Sequence, residues 1–403
     1  MSSGRSLTLL QSSDWHLGSA LTGGGLSLTP EARAARREEV DAAAERAVAA
    51  ATSCGAEALL VPGDLWDAEN VPAATIHRLL EAFASFAPRP VYVAPGNHDF
   101  AGPGGYYDPA LLAALGMRPW PKNVVVFRAP EWTAAPFPGR DDVTVVGRAF
   151  LSPAMVVERP LAPAPSRPST PHALLLLHGS LESYTGPDSP RGTKRTAPFS
   201  AREIADAGFS WAALGHHHHV HVVSDEEGRR PLGAYSGCPT GRGLDEAGPR
   251  VFLKVTLPAE GPARVETVPA DTRSVRDVVV DVSELEASAL VERVQAALAE
   301  AGVQAPDLVR VTLTGTQTFG ARPADLVRPL AERLRHLAVR DRTEPPAPEP
   351  GPRSAEGRFA SDLLAYRAAA ADEGRRRVAD LALRLGRDAL AGRPVRPPDA
   401  EDR

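Results

Sequence analysis

Short apolar runs recur along the first 270 residues, and each runs out into a cluster of Gly, Asp, Asn or His. Leu7–His16, LTLLQSSDWH, begins as a strand and ends in side chains that bind cations. Glu31–Cys54 is rich in Ala, Glu and Arg and reads as one helix. Next come AEALLVPGDLWD, a helix over AATIHRLLEAFASF, and PVYVAPGNHD. Beyond Asn123, further strands are expected at NVVVF, VTVVGRAF and HALLLLHGS. The stretch SAREIADAGFSWAALGHHHHVHVV predicts a helix followed by a strand, and AYSGCP and RVFLKVTL continue the sheet. Strand–helix alternation at these spacings predicts α/β layers around a largely buried sheet.

The texture changes after about Asp271. Asp277–Thr316 reads strand–helix–strand, and ADLVRPLAERLRHLAVRD (324–341) reads as a further helical stretch. The expected division is 1–270, 271–340, a Pro-rich linker at 341–357, and a helical segment at 358–403. In the last segment Phe359, Leu363, Tyr366, Val378, Leu381 and Leu385 form an intermittent apolar stripe. No internal repeat is visible.

Composition narrows the classes. Two cysteines, Cys54 and Cys238, exclude a disulfide framework and read as small buried residues of a reducing compartment. No apolar run approaches the ~18 residues needed to span a bilayer, and the N-terminus lacks a signal-peptide pattern. A soluble, cytoplasmic protein with no membrane association is expected. The net charge of -5 does not by itself suggest a nucleic-acid partner, but global charge misleads where an acidic site and a basic patch share a chain.

Five polar clusters end the strands: Asp14-Trp15-His16, Gly63-Asp64-Leu65-Trp66-Asp67, Gly96-Asn97-His98-Asp99, His178-Gly179 and Gly215-His216-His217-His218. Ligands in α/β folds gather beyond the carboxyl ends of strands, so clusters far apart in sequence can converge. Carboxylate oxygens with imidazole nitrogens suit Mn²⁺, Fe²⁺ or Zn²⁺. Taken singly, each cluster reads as a turn, a cap or a buried histidine. Their joint occurrence, each after an apolar strand, points to a metal site.

In this order the clusters resemble the signature of the calcineurin-like metallophosphoesterases, D-x-H, G-D, G-N-H-D/E, a lone His, and G-H-x-H. SSDWHLG, PGDLWD and PGNHD further resemble the SbcD-type DNA repair exonucleases. The similarity covers roughly residues 5–260, with a weaker likeness to that family's capping domain at 272–340. It implies a two-sheet α/β sandwich flanked by helices, a small α/β capping domain and a C-terminal helical segment. It implies two divalent metal ions, Mn²⁺ foremost, with Mg²⁺, Fe²⁺ or Zn²⁺ as alternatives. Asp14, His16 and His218 would hold one ion and Asn97, His178 and His216 the other, with Asp64 between them. His98 would assist the leaving group, oriented by Asp99, and Asp67 would stand behind the ligands.

Gly215 places the G-H-x-H frame on His216 and His218, which would face the metals together if the segment is extended. His219 and His221 offer a competing frame, but no Gly precedes His219. His77, His172 and His336 match no motif position. The resemblance implies a DNA nuclease, exonucleolytic on double strands and endonucleolytic on single strands, acting in DNA repair. Its expected partners are DNA, an SbcC-like ATPase bound by the C-terminal segment, and a second copy of the chain. Seven arginines against four acids over Asp307–Arg342 are compatible with phosphate contacts, although no individual DNA-binding residue stands out. The alternative is a phosphodiesterase or phosphatase acting on a small-molecule or protein phosphoester.

Overall fold

The computed structural model describes residues 5–22, 24–67, 71–188, 195–317, 322–344, 354–390 and 395. The chain divides into two compact units, one comprising residues 1–276 with 304–309, the other 277–303 with 310–403.

The first unit is a sandwich of two six-stranded sheets. Sheet one contains β1 (Leu7–Gln11), β2 (Ala58–Val61), β3 (Val91–Val93) and β4 (Val124–Val126), all parallel. Sheet two contains β5 (Thr133–Phe137), β6 (Arg140–Gly147), β7 (His172–His178), β8 (Trp211–Gly215), β9 (His221–Ser224) and β10 (Pro231–Tyr235). Within it β6, β7, β8 and β10 are parallel, and β5 and β9 run antiparallel at its edges. β11 (Val251–Leu257) returns antiparallel beside β1 in sheet one, and β12 (Arg264–Pro269) closes its edge.

Near-continuous apolar strands are what a sheet covered on both faces requires. Leu7, Leu9, Leu60 and Tyr92 of sheet one pack against Val145, Leu174, Leu176 and Trp211 of sheet two. The buried Gln11 side chain joins the layers, donating to Ala234 O at 2.6 Å and accepting from Trp211 Nε1 at 2.9 Å. α1 (Pro30–Asp41) precedes α2 (Ala43–Ser53) and α3 (Ala73–Ser85), which cover the outer face of sheet one and supply Ala47, Ile76 and Phe83 to the core. The expected single helix over Glu31–Cys54 is interrupted at Ala42. There the Asp41 side chain is drawn inward to the Gly18 amide at 2.9 Å and the Thr75 hydroxyl at 3.1 Å. α4 (Pro109–Ala114) follows the third cluster. α5 (Ala201–Ala207) covers sheet two, starts with a Ser200–Glu203 capping box and ends at Gly208 with φ 71°.

The second unit holds most of the three-stranded sheet β13 (Val275–Asp281), β14 (Leu308–Thr316) and β15 (His336–Glu344), in that order. α6 (Leu290–Glu300) buries Leu290, Val294 and Leu298, while Val278 and Val280 alternate with the exposed Val279. The helical reading of 324–341 holds only for its first half. α7 (Pro323–Val327) passes into a 3-10 turn over Arg328–Arg333, where Pro329 lacks the amide a helix interior needs, and the chain then becomes β15. Residues 341–344 thus finish a strand, and 345–353 of the expected linker lie outside the described residues.

α8 (Ala355–Ala369) and α9 (Glu373–Leu390) form an antiparallel hairpin. Phe359 lies over Gly386, and Arg367 pairs with Asp380 at 2.6 Å. Its buried positions include Gly357, Ala360, Ala370, Ala379 and Leu383, whereas Tyr366 and Val378 of the expected stripe are exposed. Among the described residues no helix is long and apolar enough to cross a membrane.

Candidate metal centre

The loops after β1 and β2 are knitted together by their backbones. Asp14 N donates to Gly63 O, His16 N to Asp64 O, and Leu17 N to Leu65 O. Trp15, Leu17, Leu65 and Trp66 anchor both loops in the core. The intervening Asp14, His16 and Asp64 sit at φ 56°, 48° and 53°, in the left-handed region that L-residues rarely occupy. Strain of this kind persists where the surroundings over-determine it, typically at functional sites. Gly96 is required by close approach, since a Cβ there would collide with Asp64 Oδ1.

Sheet two supplies His178 at the end of β7 and the histidine run after β8. The run is not extended. β8 stops at Gly215, the chain bends with His216 at φ 110°, and β9 begins only at His221. A bend, rather than strand alternation, therefore separates the histidines. His216 and His218 turn toward the acidic loops, while His217 stacks on Tyr184 with ring centroids 3.8 Å apart. His219 Nδ1 lies 3.8 Å from Asp188, and His221 meets the edge of Tyr184. A Cβ on Gly215 would collide with Pro62 O, so the close approach of the two sheets here also demands glycine.

Three groups of ligand atoms converge, each within 4.8 Å: Asp14 with His16 and His218, Asp64 with His178 and His216, and a third in which Asp67 and the exposed His98 share His16 with the first. Asp64 also reaches toward the first group, its Oδ2 lying 3.3 Å from His178 Nε2 and 3.9 Å from His16 Nε2. Asn97 Oδ1 is 3.0 Å from His178 Nε2, beside the second group. His98 stands next to this cluster with its side chain 49% exposed, and its backbone amide donates to Asp64 Oδ1 at 2.9 Å.

The donor set suits divalent ions. Three imidazoles have their Nδ1 atoms tied elsewhere: His16 to Asp67 at 2.7 Å, His178 to Pro62 O at 3.0 Å and His218 to Glu246 at 2.8 Å. Each tether directs Nε2 into the site, the orientation that metal-bound histidines adopt. Such mixed oxygen and nitrogen donors suit Mn²⁺, Fe²⁺ or Zn²⁺.

Without ions the groups perturb one another strongly. Burial raises Asp14 to about 6. Burial also works against the Asp64 carboxylate, but the neighbouring His178 outweighs it and holds Asp64 well below the usual carboxylate range. Burial likewise opposes the charged form of His178, yet Asp64 and Asp14 raise it to about 9. Burial and Arg242 lower His16 to about 4, and burial with His178 lowers His216 well below the usual imidazole range. The hydrogen bond to Asp67 raises His98.

A family model for the calcineurin-like phosphoesterases matches residues 7–220, just over half of the chain and every cluster described above. The chain belongs to that family. It is also similar to a Bacillus subtilis (strain 168) protein, the uncharacterized metallophosphoesterase YhaO. The two are 28% identical over 322 residues, 77% of this chain and 72% of that protein. Among solved structures, a dimetal phosphatase from Danio rerio aligns with a TM-score of 0.38 and 13% identity, over 66% of this chain and 98% of that one.

One site expectation for this phosphoesterase needs correction. Asp99 does not orient His98. It is fully buried and accepts from the amides of Asp64, Leu65 and Gly96 and from the Tyr107 hydroxyl at 2.7 Å, so its oxygens are committed to the loop backbone. The carboxylate facing His98 is Asp67, whose Oδ1 is 3.3 Å from His98 Nδ1.

Sequence reasoning also missed Glu246 and Arg242. Glu246 braces His218, and Arg242 is paired with Glu246 while its Nη2 lies 3.1 Å from His218 Nδ1. They occupy a Gly-rich polar cluster that follows β10, so the rule that flagged the other five clusters would have flagged this one.

Proposed function

We propose that this phosphoesterase is a Mn²⁺-dependent DNA nuclease, cutting double strands from their ends and single strands internally. It would act in DNA repair with an SbcC-like ATPase and as a homodimer. The observation that carries phosphodiester hydrolysis is the convergence of the two ligand groups around Asp64, with the exposed His98 beside them. Asp14, His16 and His218 would hold one ion, and Asn97, His178 and His216 the other. When bound, two such ions neutralise the charge that develops on a phosphoryl group.

The chain itself supplies the proton chemistry. His98 protonates the leaving oxygen, a task that suits an imidazole. Asp67 holds its Nδ1 and favours the protonated form that has a proton to give. DNA as substrate is supported by the SSDWHLG, PGDLWD and PGNHD motifs, and by the second unit's Arg310 on β14, Arg328 and Arg333 in the 3-10 turn, and Arg340 and Arg342 on β15.

The alternative, a phosphoesterase for smaller substrates, is favoured by one feature. A cleft of about 230 Å³ borders Asp67 and Arg242, and its lining includes Asp67, Asp245 and Glu246 against the single Arg242. Such a lining suits a compact substrate better than a polyanion.

A time course on end-labelled duplex and single-stranded DNA with Mn²⁺ separates the readings. Progressive shortening by wild type, lost in Asp64→Asn and His98→Ala, supports the nuclease. Intact DNA alongside cleavage of a small phosphodiester, unchanged when an SbcC-like ATPase and ATP are added, supports the alternative.

A further inference from the structure

We infer that Asp188 is a positioning residue for the metal centre, fixing the bend of the histidine run so that His216 and His218 fall to different ligand groups. This rests on the reading that the centre binds two divalent ions.

The run has no ladder to hold it between Gly215 and His221, and His216 is held at φ 110°. Its shape must therefore come from outside. Two carboxylates grip alternate amides: His216 N donates to Asp14 Oδ1 at 2.9 Å and His218 N to Asp188 Oδ2 at 2.7 Å. Asp14 belongs to a ligand group, whereas among the described residues Asp188 belongs to none, so its contacts hold the loop rather than an ion.

The rest of the contact pattern points the same way. Asp188 Oδ2 lies 3.5 Å from His217 Nδ1, and Oδ1 lies 3.8 Å from His219 Nδ1 and accepts the Tyr184 hydroxyl. His217 is stacked between that Tyr184 ring and the edge of Tyr235, 4.7 Å away. One carboxylate thus draws His217 and His219 to the side away from the metal groups. The His218 carbonyl is pinned in turn by Cys238 N at 3.2 Å and Arg250 Nη1 at 2.7 Å. With the peptides on both sides of His218 held, its ring meets Glu246 and His16. Loss of Asp188 leaves the part-buried His218 amide without this acceptor and frees the loop to present a different histidine.

The test is calorimetric titration of metal-free, full-length protein with Mn²⁺, beside thermal melts of the same samples. Wild type is expected to bind two ions. Asp188→Ala is expected to bind one of them about 10–100-fold more weakly, the range seen when a residue orienting a metal ligand is lost. Asp188→Asn keeps an acceptor for the His218 amide and is expected to restore most of that affinity. A role in stability alone would lower the melting temperature while leaving both affinities unchanged, which overturns the inference. Should Asp188→Ala not fold, Tyr184→Phe replaces it. That change keeps the ring on His217 and removes only the hydroxyl that holds Asp188, so unchanged affinity there also overturns the inference. Failure of wild type to bind two ions overturns the two-metal reading itself, whereas two ions held equally well by wild type and Asp188→Ala overturn only the role of Asp188.

Discussion

Sheet one delivers Asp14, His16 and Asp64 on backbone bent into the left-handed region, whereas sheet two delivers His178 and His218 on side chains tethered through Nδ1. In sheet one the fixing contacts stay within the loops of two adjacent parallel strands, as backbone bonds and the Nδ1 tether of His16 to Asp67. In sheet two they are long-range: His178 is fixed by Pro62 of the other sheet, and His218 by Glu246, Arg250 and Asp188. Sheet one therefore acts as a preformed cradle, while sheet two acts as an adjustable arm. Changes in the cradle should affect both ions, and changes to the braces of the arm should affect one.

The largest effect is expected at Asp64, which lies between the groups. Asp64→Asn removes the charge that both share and should abolish Mn²⁺ binding at both sites together with phosphodiesterase activity. Retention of one tight ion would show that the cradle is not shared. His98→Ala comes next. It should lower turnover by about 10²–10⁴-fold, as expected for loss of a general acid, with two ions still bound by calorimetry. Loss of an ion in that variant would make His98 a ligand and remove it from proton transfer.

The same contrast explains what was legible in the chain. Asp14, His16, Asp64 and Asn97 lie in contiguous motifs, because the turns that aim them are built from their immediate neighbours. The frame of the histidine run could be read from Gly215, but the reason for it could not. Strand alternation suggested it, and a bend held from residues 188 and 246 achieves it. Asp99 was misassigned because adjacency to His98 in sequence says nothing about direction, and its side chain turns inward to Tyr107. Residues 336–341 of β15 read as helix because Leu, Ala, Glu and Arg in 324–341 favour helices locally, whereas pairing beside β14 decides the outcome.

Smaller effects are expected on the arm. Glu246→Gln weakens the acceptor that orients His218 and should reduce affinity for one ion by about 10–100-fold, leaving the other unchanged. Equal weakening of both would mean that the arm and the cradle are one unit. Gly215→Ala drives a methyl group into Pro62 O, and overpacking of that kind should cost about 1–3 kcal/mol of stability, read as a lowered melting temperature of the metal-free protein.

The gentlest probe is pH. In the metal-free protein His178 is raised to about 9, so at pH 7 it carries a proton that an incoming ion must displace. The sign follows directly. Affinity at the His178 group should rise with pH by about tenfold per unit for that one proton and level off above pH 9. Titration with Mn²⁺ in weakly buffered solution at pH 7 should therefore release close to one proton from this group. In the Asp14 group the burial-raised carboxyl, at about 6, is largely ionised at pH 7 and His16, lowered to about 4, is neutral, but at His218 burial is outweighed by Glu246, which raises it and adds a proton that an ion must displace there too. Both ions should consequently bind more tightly as pH rises, the His178 ion steeply between pH 7 and 9, and in each group the displaced proton sits on an imidazole delivered by sheet two. Affinities for both ions that do not change with pH would show that the arm's imidazoles hold no proton in the metal-free protein, and would break the contrast drawn between the two sheets.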